Sequence, residues 1–131
     1  MGRRELNRVR SIVLAMPEVS ERMSHGAICF FVNGRVPLCY YHDNHRGDGR
    51  VSLWCPAYYD TQQELVLNQP QRFFKPQMSS AGTFSNWLGA FLDAPGKDSV
   101  DWNLIAEVVG DAYRKVAPKK LVAVFERGER T

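Results

Sequence analysis

The chain has 131 residues, a length that suits one domain burying roughly two thirds of its unfolded surface. With 44% hydrophobic and 24% charged residues, its composition is globular and excludes an intrinsically disordered chain. The net charge of +3 permits an acidic partner without requiring one. Because the basic N-terminus lacks a secretory signal pattern and no apolar run reaches about 18 residues, we expect a cytoplasmic protein that spans no membrane.

The first segment predicts an amphipathic helix. Its apolar residues recur at helical spacing, at Leu6, Val9, Val13 and Met16, while Arg3, Arg4, Arg8 and Ser11 fall elsewhere. Pro17 is expected to end this helix, because proline disfavours helical backbone in the residue before it.

Residues 27–41 hold the clearest hairpin signal. Asn33-Gly34 tolerates the positive φ angles of a two-residue type I′ turn between two β-rich runs. This turn would pair Cys29 with Leu38. It would also place one apolar set on a single face, which we expect to be the core side: Ala27, Cys29, Phe31, Val36, Leu38 and Tyr40.

The three cysteines, Cys29, Cys39 and Cys55, are odd in number and lie among apolar residues, so they are expected to be small core residues. In the predicted hairpin, Cys29 and Cys39 point to opposite faces and cannot form a disulfide.

The remaining segments predict an alternation of strands and helices. They are a polar hairpin loop over 42–50, a strand over 51–55, a helix from Asp60 or Thr61 to before Pro70, a Phe73-Phe74 segment, a Ser/Gly-rich turn, a strand over 86–92, and a helix from Ser99 or Asp101 to Pro118. This order predicts an α+β fold, an antiparallel sheet with helices packed on one face.

An ordered set of short motifs resembles the MmcQ/YjbR family of small bacterial proteins. The set comprises Pro17-Glu18-Val19, His25-Gly26, Phe30 to Arg35, Leu53-Trp54-Cys55, Pro70 with Arg72-Phe73-Phe74 and Pro76, Trp87-Leu88-Gly89, Asp101-Trp102, Tyr113 and Ala117-Pro118-Lys119. The resemblance implies one domain over residues 1–131, a frataxin/CyaY-like fold with two hairpin wings, and a DNA-binding label. Residues 121–131 extend past the matching region and are expected to be a flexible tail, an extra strand or a contact with a second subunit.

A metal site is the first chemical possibility, because the polar loop offers nitrogen and oxygen ligands at His42, Asp43, His45 and Asp48. Their spacing matches no known metal loop, so a solvated loop is expected. An iron role by analogy with frataxin would suit an acidic first helix, whereas this helix carries Arg3, Arg4, Arg8 and Arg10. We therefore expect no metal and no cofactor.

Basic residues near the predicted turns favour nucleic acid. Arg35 lies at one turn, Arg46 and Arg50 flank the next loop, and Arg72 and Lys75 surround Phe73-Phe74. The sequence thus favours a weak, sequence-tolerant module for double-stranded DNA over an enzyme.

The alternative is a small-molecule-binding protein, or an unrecognised enzyme, with a cleft formed by His25, Trp54 and Trp87. A structural His25 and two core tryptophans remain a third interpretation. A concave pocket lined by His25 and Trp54 would favour the small molecule, and a convex basic strip along the hairpin tips would favour DNA.

Overall fold

The computed structural model describes residues 3–76 and 86–128. In chain order the elements are α1 (Arg3–Val13), β1 (Val19–Ser24), β2 (Ala27–Val32), β3 (Val36–Asp43), β4 (Val51–Pro56), α2 (Tyr59–Asn68), β5 (Phe73–Phe74), β6 (Trp87–Phe91), α3 (Trp102–Val116) and α4 (Lys119–Glu126). Short 3₁₀ turns occupy His45–Gly47 and Gly96–Asp98.

The strands form one antiparallel sheet in the order β1-β2-β3-β4-β6-β5. Together with the four described helices, this sheet confirms the predicted α+β class. Among the described helices, none is long and apolar enough to cross a membrane.

The helices cover one face of the sheet. A row of paired residues crosses that face through all six strands: Met23, Ile28, Tyr41, Leu53, Ala90 and Phe73. Val9 and Val13 of α1, and Val109 of α3, are fully buried in the same core cluster as this row's central residues. The helical spacing in the sequence therefore identified the packed side of α1 correctly.

The second face of the sheet is rich in aromatic residues. Its central row runs through Arg22, Cys29, Tyr40, Trp54, Gly89 and Phe74. The Trp54 ring packs against the Phe74 ring with centroids 6.4 Å apart, and Phe74 packs against Phe91 at 4.5 Å. Trp54 is only 7% exposed, whereas Phe74 and Phe91 are half-buried, so the aromatic packing buries the centre of this face.

The hairpin prediction was correct at its turn but only partly correct about its core side, since Leu38 belongs to the core cluster whereas Ala27, Cys29, Phe31 and Tyr40 do not. Asn33 and Gly34 have positive φ angles, and the Arg35 backbone N–H donates to the Val32 carbonyl at 3.0 Å. A β-bulge then shifts the pairing, so that Cys29 lies opposite Tyr40 instead of Leu38. Cys29 and Tyr40 share the aromatic face, as do the alternating Ala27 and Phe31, while the helices cover the opposite face, which carries Phe30, Cys39 and Tyr41. Both faces are apolar, so alternation could not identify the one that packs against helices.

The cysteine prediction was correct, because the register places Cys29 and Cys39 on opposite faces and all three thiols are free and buried.

Sequence patterns missed β1, whose residues Val19–Ser24 are half-buried or exposed, with none fully buried. Ser24 pairs with Ala27, and His25 and Gly26 between them both have positive φ, at 51° and 79°. His25-Gly26 therefore forms a second two-residue turn of the type I′ kind.

Residues 119–126 form α4, which corrects the expectation of an extra strand within 121–131. The Phe125 ring packs on Tyr113 of α3 with centroids 4.9 Å apart, so this part of the tail contacts the core. Helix α2 begins at Tyr59, before the predicted caps, whereas Asp101 caps α3 as predicted, accepting from the backbone of Asn103 and Leu104. The predicted Ser/Gly-rich turn overlaps residues 77–85, outside the described part of the chain.

Candidate binding cavity at the histidine end of the sheet

A cavity of about 750 Å³ opens at one end of the sheet. Three segments surround it: one side of α1, the end of β1 with its turn into β2, and the end of β3 with the following loop. Its lining residues are Leu6, Asn7, Arg10, Met23, His25, Gly26, Ala27, Ile28, Tyr41, His42, Asp43, Asn44, His45 and Arg46. We call it the histidine cavity.

The chain has three histidines, and all three line this cavity. His25 is exposed at the β1–β2 turn, whereas His42 and His45 come from β3 and the 3₁₀ turn after it. The His42 and His45 rings pack together with centroids 4.3 Å apart. The antiparallel sheet brings these distant segments together, because the β1–β2 turn and the loop after β3 lie at the same end of the sheet.

Unusual backbone conformations also concentrate here. Five described non-glycine residues have positive φ, and three of them, His25, Asn44 and Arg46, line the cavity. Such conformations cost free energy and are enriched at binding sites. The Asn44 side chain accepts from the Gly49 backbone N–H at 2.7 Å, which helps to hold its loop.

His42 is buried without a hydrogen-bond partner for its Nε2 among the described residues. The rings of His42, His45 and Trp54 form one cluster, in which the His42 centroid lies 4.3 Å from each of the other two. Burial, aided by the neighbouring His45, lowers the pKa of His42 to about 4. The imidazole is therefore neutral at neutral pH.

The charges around the cavity differ in how they are compensated. Arg10 donates from Nε and Nη2 to the two carboxylate oxygens of Glu21, at 2.8 Å and 2.7 Å, so Glu21 balances its charge. Arg46 and Asp43 are exposed, and none of the ion pairs found in the described residues includes either of them. Burial also raises the pKa of Tyr41, which keeps its hydroxyl neutral.

The residues predicted to bind DNA are not gathered on one surface. Arg50 donates to Asp93 at 3.0 Å and stacks on Phe91 at 3.8 Å. Arg72 donates to Gln69 at 3.0 Å and to the Lys97 carbonyl at 3.3 Å. Both guanidinium groups therefore have intramolecular roles.

The other three predicted cations are exposed, at opposite ends of the sheet. Arg46 lies in the loop after β3, whereas Arg35 precedes β3. The eight residues of β3 would separate them by roughly 26 Å. Lys75 directly follows β5 and lies at the same end of the sheet as Arg35. Arg72, on the other side of β5, pairs through its carbonyl with the Phe91 N–H at the opposite end.

Of the residues predicted to form a cleft, only His25 lines the cavity. Trp54 lies behind its wall, against the rings of His42 and His45. Trp87 packs on Tyr40 with centroids 5.2 Å apart and does not line the cavity. In the sequence, the His25-Gly26 pair was the signal that could have predicted the turn between β1 and β2.

The polar loop is not a preformed metal site. Within residues 3–76 and 86–128, no group of three or more His, Cys, Asp or Glu side chains could hold a metal ion.

No protein-family model and no curated protein matches this chain. It is similar in structure to Deinococcus radiodurans protein DR2400, which has a DUF419 domain and whose crystal structure is known. The TM-score is 0.69 with 17% sequence identity, over 95% of this chain and 88% of that one. This likeness supports the fold.

Proposed function

We propose that this chain is a small-molecule-binding protein of the MmcQ/YjbR type and that its ligand occupies the histidine cavity. One observation carries this proposal: a concave site collects every histidine of the chain and three of its five described left-handed non-glycine residues. Ligand sites are typically concavities with a few converging polar groups. Sparsely populated backbone conformations cluster at active sites and ligand-binding sites.

The three imidazoles provide a direct test. Long-range ¹H–¹⁵N spectra of the histidine side chains contain signals from these groups only, so a mixture of small-molecule fragments can be screened for shifts. We expect a ligand to move the three imidazole signals in these spectra and, in one-bond ¹H–¹⁵N spectra, the indole signal of Trp54, which packs on two of the imidazoles. The indole of Trp102 in α3, which does not line the cavity, is the internal control.

Matched variants assign any binding to this site. Asn7→Ala alters the cavity wall, whereas Asn103→Ala alters an exposed position on α3. Weaker binding by Asn7→Ala alone would support the cavity. A screen that moves no imidazole signal, or one that moves Trp102 equally, would refute the proposal.

Double-stranded DNA is the second candidate, through the end of the sheet that carries Arg35 and Lys75. Both are exposed, and neither takes part in an ion pair of the described chain. Arg22 adds a third cation there, donating to the Gly34 carbonyl at 2.9 Å. Cations at a turn without a recognition helix favour phosphate contacts and slight sequence preference.

Duplex binding should then fall steeply with salt. In mobility-shift assays at several salt concentrations, the Arg35→Gln/Lys75→Gln double variant is expected to reduce the salt slope by about two, roughly one unit for each phosphate that is no longer neutralised. Arg46→Gln, at the opposite end, is the matched control and should leave the slope unchanged. Absence of wild-type binding at low salt would exclude this candidate.

A further inference from the structure

We infer that the ligand of the histidine cavity is an organic oxyanion, a small molecule that joins a phosphate or carboxylate group to an apolar portion. This inference rests on the proposed function and specifies its ligand class. It follows from the arginine at the rim that takes part in no ion pair of the described chain, the hydrogen-bonding groups of the wall and the apolar surface beside them.

Arg46 is the arginine at the rim. Within the described chain no carboxylate pairs with it, whereas Glu21 neutralises Arg10 and Asp93 neutralises Arg50. Arginine is suited to oxyanions because its planar guanidinium can donate two parallel hydrogen bonds.

The loop holds Arg46 in a defined but costly conformation. Its φ is 52°, in the left-handed region that few residues other than glycine adopt. The Gly47 N–H donates to the Asn44 carbonyl at 3.1 Å, and the Asp48 N–H donates to the His45 carbonyl at 3.1 Å. The Asp48 carboxylate accepts from the Arg50 backbone N–H at 2.9 Å. This loop therefore maintains the strained backbone that carries Arg46 at the rim.

The wall adds hydrogen-bonding groups with little negative charge. His25 and His45 present imidazoles, Asn7 and Asn44 present amides, and Asp43 is the carboxylate among the lining residues. His42 also lines the cavity; its ring packs against that of His45, and its buried Nε2 has no hydrogen-bond partner in the described part of the chain. Buried polar atoms normally have such partners, so this nitrogen is a group that a bound ligand can satisfy.

The apolar part of the wall indicates an organic ligand. Leu6, Ile28 and Met23 line the cavity on its α1 side, and Met23 is 65% exposed although it belongs to a strand. A volume of about 750 Å³ also exceeds what a bare inorganic anion would fill.

The experiment compares oxyanions with uncharged molecules of similar shape. Phenyl phosphate, benzoate and benzyl alcohol are titrated into the full chain at constant ionic strength, with histidine side-chain spectra as the readout. Inorganic phosphate is the fourth probe. We expect phenyl phosphate or benzoate to bind more tightly than benzyl alcohol and inorganic phosphate, and the two aromatic anions distinguish a phosphate from a carboxylate ligand.

Charge variants at the rim give effects of opposite sign. Arg46→Gln should weaken binding of the aromatic anion about fivefold or more, as expected for one partly exposed charge-assisted contact. Asp43→Asn should strengthen it, because a repulsive carboxylate is removed. Arg35→Gln, the same change at the other end of β3, should have no effect.

Three results would overturn the inference. Benzyl alcohol binding as tightly as the anions, with no effect of Arg46→Gln, would leave the cavity a binding site but reject an oxyanion. Equally weakened binding in Arg46→Gln and Arg35→Gln would show general charge attraction. If no probe and no fragment moves an imidazole signal, both the inference and the proposed function fail.

Discussion

At the scale of single residues, we expect His42 to make the stability of the native fold sensitive to acid. Its pKa is lowered to about 4 from the value of 6.5 that it would have when unfolded, because burial disfavours the charged imidazolium. Below pH 6.5 the unfolded chain therefore binds the proton more readily than the native chain. The resulting stability is complete above pH 6.5 and is lost as the pH falls toward 4.

Between those pH values, protonation of His42 should lower the wild type's free energy of unfolding by up to about 3 kcal/mol. We expect His42→Leu to lack most of this drop. Urea unfolding at several pH values measures this slope, whatever the variant's stability at pH 7. His25→Asn, at an exposed left-handed position, is the control and should keep the wild-type slope. An unchanged slope in His42→Leu would contradict the buried, neutral imidazole.

Gly89 lacks a side chain at a position where the Phe74 ring leaves no room for one. A Cβ atom at this position would overlap the ring of Phe74, which lies over the glycine on the aromatic face. We expect Gly89→Ala to lower the free energy of unfolding by about 1 to 3 kcal/mol through overpacking.

Gly110 in α3 is the matched control for this change. A Cβ there would lie at ordinary distances of 3.4 Å from Arg114 Nη1 and 3.6 Å from Phe125 Cζ. Gly110→Ala should therefore be neutral or stabilising by up to about 1 kcal/mol, as alanine favours helices over glycine. Chemical denaturation of both variants gives the comparison, and equal effects would refute the close approach of Phe74.

At the scale of elements, β1 is attached to α1 by one bidentate ion pair. Glu21 lies in the edge strand that sequence patterns missed, and both its oxygens accept from Arg10. The hydrogen bond from Arg10 lowers the pKa of Glu21 below its ordinary 4.5. The stability from this shift is present above pH 4.5 and is lost as the pH falls through the native pKa.

We expect Glu21→Gln to lower the free energy of unfolding at pH 7 by about 1 kcal/mol or less, because the pair is partly exposed and solvent screens it. The variant should also lose less stability than the wild type below pH 4.5. Glu107→Gln changes the same charge at an exposed position on α3 and should behave like the wild type. Identical acid profiles for all three proteins would contradict the ion pair.

At the scale of the whole molecule, one buried hydrogen bond joins segments 96 residues apart in sequence. The Tyr113 hydroxyl donates to the Pro17 carbonyl at 2.7 Å and so fixes α3 to the connection between α1 and β1. Burial raises the pKa of Tyr113 to about 12.

Tyr113→Phe should lower the free energy of unfolding by about 1 to 2 kcal/mol, since the buried carbonyl loses its donor. The native hydroxyl favours its neutral form, so the stability from the shift is present below pH 10 and is lost as the pH approaches 12. Tyr113→Phe should therefore lose less stability over that interval. Tyr59→Phe, at a residue that is 63% exposed, is the control and should match the wild type throughout.

The sequence by itself determined the elements whose signals are local. Helical spacing predicted α1 and α3, apolar β-rich runs predicted β4 and β6, and Asn33-Gly34 predicted its turn, because each depends on neighbouring residues. From these the α+β class followed. The edge strand β1 was missed because it alternates weakly and carries polar residues.

Only the tertiary structure decided which side of the sheet the helices cover and where a site forms. The central strands are apolar on both faces, so the packing of α1 and α3 determines the choice. The histidine cavity likewise combines Arg10 of α1, His25 of one connection and Arg46 of another, brought together by the register of an antiparallel sheet. Such proximity depends on long-range pairing, for which single residues and short motifs carry no signal.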